Sequence, residues 1–208
     1  MKISRDNLIA IADQTWATEC AEIKQLINYI NQDSFIRCVK VLDDCSGKII
    51  TTGAGTSAAA AKKISHSLCC VGVPSFYLVP SDAVHGGLGA VCKNDVVIAI
   101  SKGGNTHEII SMLPAIKSKD AFLIGVTENE QSVLASSSDL FIKIKIQKEP
   151  DPFGMLATAS TIAVIAFFDA VCIALMKIRK FTKQEFALIH PGGAVGEKLR
   201  ESLKQKTK

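Results

Sequence analysis

The sequence predicts an α/β fold in which a parallel sheet is covered by helices on both faces. Three observations carry this. Short apolar runs rich in β-branched residues recur along the chain, stretches with helical periodicity lie between them, and the pitch of their alternation implies right-handed crossovers.

The chain has 208 residues, 48% apolar and 21% charged, which suits one domain with a full core and excludes disorder, collagen and coiled coil. Its 24 Lys and Arg against 20 Asp and Glu give a net charge of +4. That mild excess suits an anionic small molecule and falls short of a nucleic-acid-binding stripe. Part of it lies in a basic tail with Lys204, Lys206 and Lys208.

The amino terminus MKISRDNLIA lacks the apolar block of a signal peptide. Residues 156–178 are long and apolar enough to span a membrane, but they carry Thr158, Ser160, Thr161 and Asp169. They read instead as a helix buried in a soluble protein, apolar nearly all round. The seven cysteines (Cys20, Cys38, Cys45, Cys69, Cys70, Cys92 and Cys172) form no C-x-x-C pair and read as reduced core thiols of a cytoplasmic protein.

Residues 6–30 read as a helix with Leu8, Ile11, Trp16, Ile23, Ile27 and Ile30 on one broad face. A short second helix covers 35–42. Strands are expected at 48–52, 75–79, 95–100, 121–126 and 139–146, whose lengths suit strands rather than helices. Helices are expected at 57–70, 106–117, near 131–136, at 156–179 and at 183–189. With no internal repeat or linker, residues 1–208 read as a single domain: amino-terminal helices at 6–45, a core at about 48–199 and a short basic tail.

In an open parallel sheet a ligand is expected beyond the carboxyl ends of the strands. The first strand runs into Gly53-Ala54-Gly55-Thr56-Ser57-Ala58, which formally matches G-x-G-x-x-A. A dinucleotide reading also needs an acid closing the second strand, where Pro80 and Ser81 follow and Asp82 is distant. The glycines suit backbone N–H groups approaching a single phosphate, with Ser57 adding a hydroxyl. An unliganded strand-to-helix turn is the plain alternative.

The third strand ends in Ser101-Lys102-Gly103-Gly104-Asn105-Thr106, a second loop of this kind. Ser101 and Thr106 offer hydroxyls, Gly103 and Gly104 backbone N–H groups, and Lys102 charge. Helix capping by Asn105 or Thr106 is compatible with that role.

His85 sits in a glycine-spaced loop at 81–89, and His190 stands where Pro191 and the following glycines must stop a helix. A histidine at a helix carboxyl end is also a common stabilising device. His66, inside a helical stretch, reads as structural. Glu108 falls in the first turn after the second loop and Glu149 just past the fifth strand, beside Pro150 and Pro152. Taken singly, each reads as a dipole complement or a surface charge.

Two phosphate-type loops, two carboxylates and two loop histidines at one sheet edge are the parts of an aldose–ketose isomerase for a sugar phosphate. The phosphate anchors the substrate, a carboxylate with its pKa tuned upward by burial moves a proton between C1 and C2, and a histidine assists ring opening. No cofactor is implied. No metal is implied either, since His85, His190 and the cysteines lack ligand spacing.

These residues resemble the sugar isomerase (SIS) domain, and more narrowly the arabinose-5-phosphate isomerase family. The resemblance spans roughly residues 48–199 and is carried by PSDAVHGGL from Pro80, FALIHPGGAVG from Phe186 and DVVIAIS from Asp95. It is to a form with the SIS domain alone, without the pair of CBS modules that often follows. The resemblance implies the SIS fold, a flavodoxin-like or Rossmann-like three-layer sandwich around a five-stranded parallel sheet. It also implies a homotetramer with sites at subunit interfaces, where a site histidine can come from a neighbouring chain.

By position, Glu108 and Glu149 match the family's acid/base carboxylates, His190 its essential histidine and His85 another site histidine. Gly55, Thr56, Ser57, Ser101, Lys102, Gly103 and Thr106 fall in the phosphate cradle. Thr56 stands where the family usually has a lysine, and Lys102 is placed to supply that charge from the other loop. Gly103 and Gly87 stand where a serine and an aspartate are usual.

The expected function is isomerisation of arabinose 5-phosphate and ribulose 5-phosphate, or of a related sugar phosphate, through an enediol. A regulatory SIS protein that binds a sugar phosphate without turnover is the alternative. The small-molecule substrate is the expected partner, with no nucleic acid and no membrane.

Overall fold

In the computed structural model the described residues are 3–193 and 196–197, and the basic tail expected at Lys204, Lys206 and Lys208 lies outside them. The middle layer is a five-stranded sheet of β1 (Ile49–Gly53), β2 (Ser75–Tyr77), β3 (Val96–Ile100), β4 (Phe122–Thr127) and β5 (Leu140–Lys143). All neighbours are parallel, in the order β2-β1-β3-β4-β5. Every residue of β1 and β3 is buried, because helices cover both faces.

Alternation along the strands divides the core in two. Ile49, Ile98, Ile100, Ile124 and Val126 face one cluster, shared with α2 (Gln32–Asp43), α3 (Thr56–Cys70) and α8 (Ala159–Ile178). Ile50, Val97, Ala99 and Leu123 face the other, shared with α5 (His107–Ile110), α6 (Leu113–Ser118) and α7 (Val133–Ser137). On the first side Phe167 meets Phe35 and Phe168 edge to face, with centroids 5.6 and 5.1 Å apart. Removing a side chain as large and as buried as Phe168 from water stabilises the fold by about 2–3 kcal/mol. Thr51, buried in β1, satisfies its hydroxyl by donating to the Ala61 carbonyl at 2.8 Å.

Several expectations need correction. The helix expected over 106–117 is two helices, because Pro114 in the first turn of α6 has no N–H to continue α5. The loop expected at 81–89 contains α4 (Pro80–Ala83) and a 3₁₀ turn at Gly87–Ala90. The fifth strand stops at Lys143 rather than 146. Its neighbour β4 ends at Thr127, whose carbonyl still accepts from the Ile144 N–H at 3.2 Å.

α8 is not buried all round, since Ile173 and Ile178 are exposed; it is long and apolar enough by composition to cross a membrane. The apolar face expected on α1 (Arg5–Tyr29) is mostly open, with Trp16 61% and Ile27 82% exposed. α1 instead turns Glu22 inward and packs Leu26 against the first cluster. Of the cysteines only Cys38 and Cys172 are buried, while Cys20 and Cys92 are exposed. Burial pushes the Cys38 thiol up to about 12. His66 is exposed on the surface of α3.

Candidate functional site

The strand order reverses direction between β1 and β3, and the crevice outside the carboxyl ends of two such strands is where open α/β sheets bind ligands. Both glycine loops sit there. Gly55, the residue before α3, has φ +58° and ψ −131°, a conformation open essentially only to glycine. It turns the chain so that α3 begins with no side-chain cap. The Ala58 N–H donates back to the Gly55 carbonyl at 3.1 Å, while those of Thr56 and Ser57 keep their hydrogen-bonding capacity for a group outside the helix.

The second loop is stiffened from within. The Gly104 N–H donates to both the carbonyl and the hydroxyl oxygen of Ser101 at 3.1 Å, and the Ser101 and Thr106 hydroxyls are 2.8 Å apart. Gly104 has φ +72°, and a Cβ there would lie 2.1 Å from Ser132 Oγ. Asn105 does not cap α5; its Oδ1 accepts from the Val133 N–H at 3.0 Å.

Between the starts of α3 and α8 lies a cavity of about 40 Å³ lined by Thr56, Ser57, Lys102, Thr127, Glu128 and Ser160, among others. Its volume admits roughly three water molecules, room for a phosphate-sized group rather than a whole pentose phosphate.

Lys102 Nζ lies 2.9 Å from Oε1 of Glu149, which is buried at 3% exposure. The Ser160 hydroxyl donates to the same oxygen, and the Thr158 and Ser160 N–H groups donate to Oε2 at 3.1 and 3.4 Å. Glu149 is thus held against the amino terminus of α8, where a carboxylate is favoured. The backbone ahead of it is fixed by α1, whose Glu22 accepts from the Gln147 and Lys148 N–H groups at 2.9 and 3.1 Å.

Burial pushes the Glu149 carboxyl up. The Ser160 hydroxyl, the Lys102 ammonium and the Thr158 N–H together outweigh it and hold the carboxyl below the usual glutamate range. This corrects the expectation of a carboxylate tuned upward by burial: Glu149 is held in its ionised form, fit to accept a proton rather than to donate one.

Thr56, Ser57 and Lys102 are therefore brought to one cavity, with Glu149 bound to Lys102 behind it. Gly55 and Gly103 are exposed beside it. Ser101 is buried and engaged within its loop, together with the half-buried Thr106. Glu108 and His85 are exposed and are not among the cavity's lining residues, nor is His190. His190 ends α9 (Lys183–Ile189) with its ring stacked on Phe186 at 4.1 Å. Its Nδ1 is 3.0 Å from the Phe186 carbonyl oxygen, which can only accept, so Nδ1 carries a proton and donates it there. The Tyr77 hydroxyl at the end of β2 donates to the Gly53 carbonyl at 2.8 Å, where a dinucleotide site would present an acid.

Residues 44–174 match the model of the SIS domain family. The chain belongs to the SIS domain family. Among curated relatives, arabinose 5-phosphate isomerase KdsD of Shigella flexneri is 41% identical over 87% of this chain and 54% of its own length. The KdsD of Francisella tularensis is 37% identical over 96% of this chain and 62% of its own. The chain thus spans about half the length of most of the curated relatives it matches. Among solved SIS structures, a putative sugar-phosphate isomerase from Listeria monocytogenes is 47% identical with a TM-score of 0.91, covering 92% of this chain and 100% of its own. An Escherichia coli CFT073 protein in complex with arabinose 5-phosphate is 36% identical with a TM-score of 0.87, covering 91% and 100%.

Within this SIS domain the residues that sequence reasoning missed are Ser160, Thr158 and Glu22. The first two carried a signal, because hydroxyls crowd the head of an otherwise apolar helix. Glu22 carried none, since an acid on a polar helix face looks the same whether it meets water or two buried amides.

Proposed function

We propose that the chain is a sugar-phosphate aldose–ketose isomerase, acting on arabinose 5-phosphate and ribulose 5-phosphate or a close relative. The observation that supports this most is the ionised, buried Glu149 bound to Lys102 beside the cavity at the head of α3. The identity to curated arabinose 5-phosphate isomerases supports the substrate class. The phosphate sits at the first turn of α3 with Ser57 and Lys102.

Glu149 removes the proton from C2 of the open-chain aldose, and the C1 carbonyl oxygen takes up a proton to give the enediol. A proton returned to C1, with loss of the C2 hydroxyl proton, gives the ketose, and no atom is gained or lost overall. Glu108 serves as the second acid/base group, and His85 and His190 move protons on the sugar oxygens during ring opening. No metal or cofactor takes part in this scheme.

The protein works as a soluble cytoplasmic homotetramer with the sites completed between subunits. The exposed apolar faces of α1 and α8, with Trp16, Ile27 and Ile173, support an assembly that covers them. Light scattering on the purified protein that gives the mass of a monomer removes this part of the reading.

The deciding assay mixes pure protein with arabinose 5-phosphate and follows ketose formation by NMR. Inertness toward this and other aldose phosphates overturns the isomerase reading. The binding-only alternative is favoured by one observation: Glu108, His85 and His190 are not among the residues lining the cavity of the single chain. Thermal stabilisation by the sugar phosphate without turnover is its signature.

A further inference from the structure

Among the described residues lining the cavity Lys102 is the one cation, yet its ammonium lies on Glu149. That carboxylate does not depend on it. The Ser160 hydroxyl and the Thr158 and Ser160 N–H groups remain as donors if Lys102 leaves, so Glu149 would stay bonded and oriented. Lys102 is 38% exposed on a flexible four-carbon stem, and its ammonium is a point charge without the fixed fork that commits an arginine to one partner. The cavity that Lys102 shares with Thr56 and Ser57 is of phosphate size, and no second ammonium or guanidinium among the described residues lines it to meet a dianion.

We propose that Lys102 is an exchangeable cation, paired with Glu149 while the site is empty and transferred to the substrate's phosphate on binding, so that the arriving substrate releases the carboxylate for proton transfer. This rests on the sugar-phosphate reading of the site and adds to it how the site is switched on. Glu149 loses a cation and gains a neighbouring dianion in the same event, and both changes make it more basic. An unoccupied site keeps its base quenched, and a sugar without phosphate does not release it.

The test uses full-length protein carrying ¹³C-labelled glutamate and titrates the Glu149 carboxyl carbon by NMR. Its resonance is assigned by its loss in Glu149→Gln. The ligand is arabinitol 5-phosphate, which has no carbonyl and cannot turn over. The exchange predicts that the Glu149 midpoint rises by at least one pH unit when arabinitol 5-phosphate saturates the site and does not move with arabinitol. In Lys102→Met the midpoint of the free protein is already raised, arabinitol 5-phosphate adds less than half the wild-type shift, and its affinity falls at least tenfold. Lys102→Arg retains the wild-type midpoint and part of the affinity, which separates loss of charge from misfolding.

A midpoint unmoved by saturating arabinitol 5-phosphate, in protein that isomerises arabinose 5-phosphate, overturns the exchange and leaves the isomerase reading standing. A raised midpoint in protein that turns over no aldose phosphate supports the exchange and overturns the isomerase.

Discussion

Arg179 donates from Nε to Oδ1 of Asp43 at 2.7 Å, locking the carboxyl end of α8 to the last turn of α2. Its Nη2 also reaches the carbonyl oxygens of Leu42 and Asp43 at 3.3 and 3.0 Å, so one guanidinium satisfies acceptors that the helix end leaves open. Both side chains are partly exposed, and Arg179→Met should cost about 1–2 kcal/mol. That corresponds to a fall of roughly 2–8 °C in melting temperature for a domain of this size. Arg179→Lys should recover less than half, because an ammonium cannot span the three acceptors. Melting curves that superimpose would show that this fork contributes nothing.

Glu149→Gln should lower kcat for arabinose 5-phosphate by about 10³-fold or more while ligand-induced thermal stabilisation persists. The amide keeps an oxygen for the Ser160 hydroxyl or the α8 N–H groups but cannot take a proton from carbon. Unchanged conversion would remove Glu149 from the mechanism.

Gly104→Ala tests how the second loop is built. The methyl group meets Ser132 at a position where φ is +72°, so strain and overlap add, and the cost should be about 2–4 kcal/mol. Gly103→Ala, with nothing within 4 Å of an added Cβ, should stay within about 0.5 kcal/mol of the parent. Equal losses in urea unfolding would mean that the backbone at Gly104 is not held by Ser132.

Asp95, at the opposite sheet edge, is buried and accepts from Lys48 Nζ at 2.7 Å and from the N–H groups of Lys48 and Cys92 at 3.0 and 2.7 Å. Burial pushes its carboxyl up, and these donors overcome that and hold it below its ordinary value of 3.8. A lowered folded-state pKa stabilises the fold at pH above the unfolded value, and that contribution is lost as pH falls through the folded value. Glu149, lowered from 4.5, acts with the same sign. Unfolding free energy should therefore decline steadily from about pH 4 downward. Asp95→Asn should be less stable by about 1–3 kcal/mol at neutral pH and show a shallower decline in acid. A variant as acid-sensitive as the parent would exclude Asp95 as a source of that slope.

The strands were legible because β1 and β3 are buried on both faces, which favours apolar runs rich in β-branched residues such as Val96–Ile100. The two phosphate-type loops were legible because Gly55 and Gly104 occupy conformations that other residues avoid. The split at Pro114 was visible in principle, but the apolar period of Ile109, Met112, Leu113 and Ile116 runs through it and masks the missing N–H. The open face of α1 defeated periodicity for a physical reason, since the pattern records burial without recording against what. The pairing of Lys102 with Glu149 joins residues 47 apart and depends on Ser160 and the first turn of α8, which no local pattern contains.

Glu22 reaches 125 residues along the chain to hold the Gln147 N–H. The segment that presents the site carboxylate therefore takes its shape from a helix that precedes every strand of the sheet along the chain. A protein shortened past Glu22 would keep every strand of the sheet yet leave two amides beside Glu149 unanswered. Loss of aim, at intact fold, is the expected defect of such a truncation.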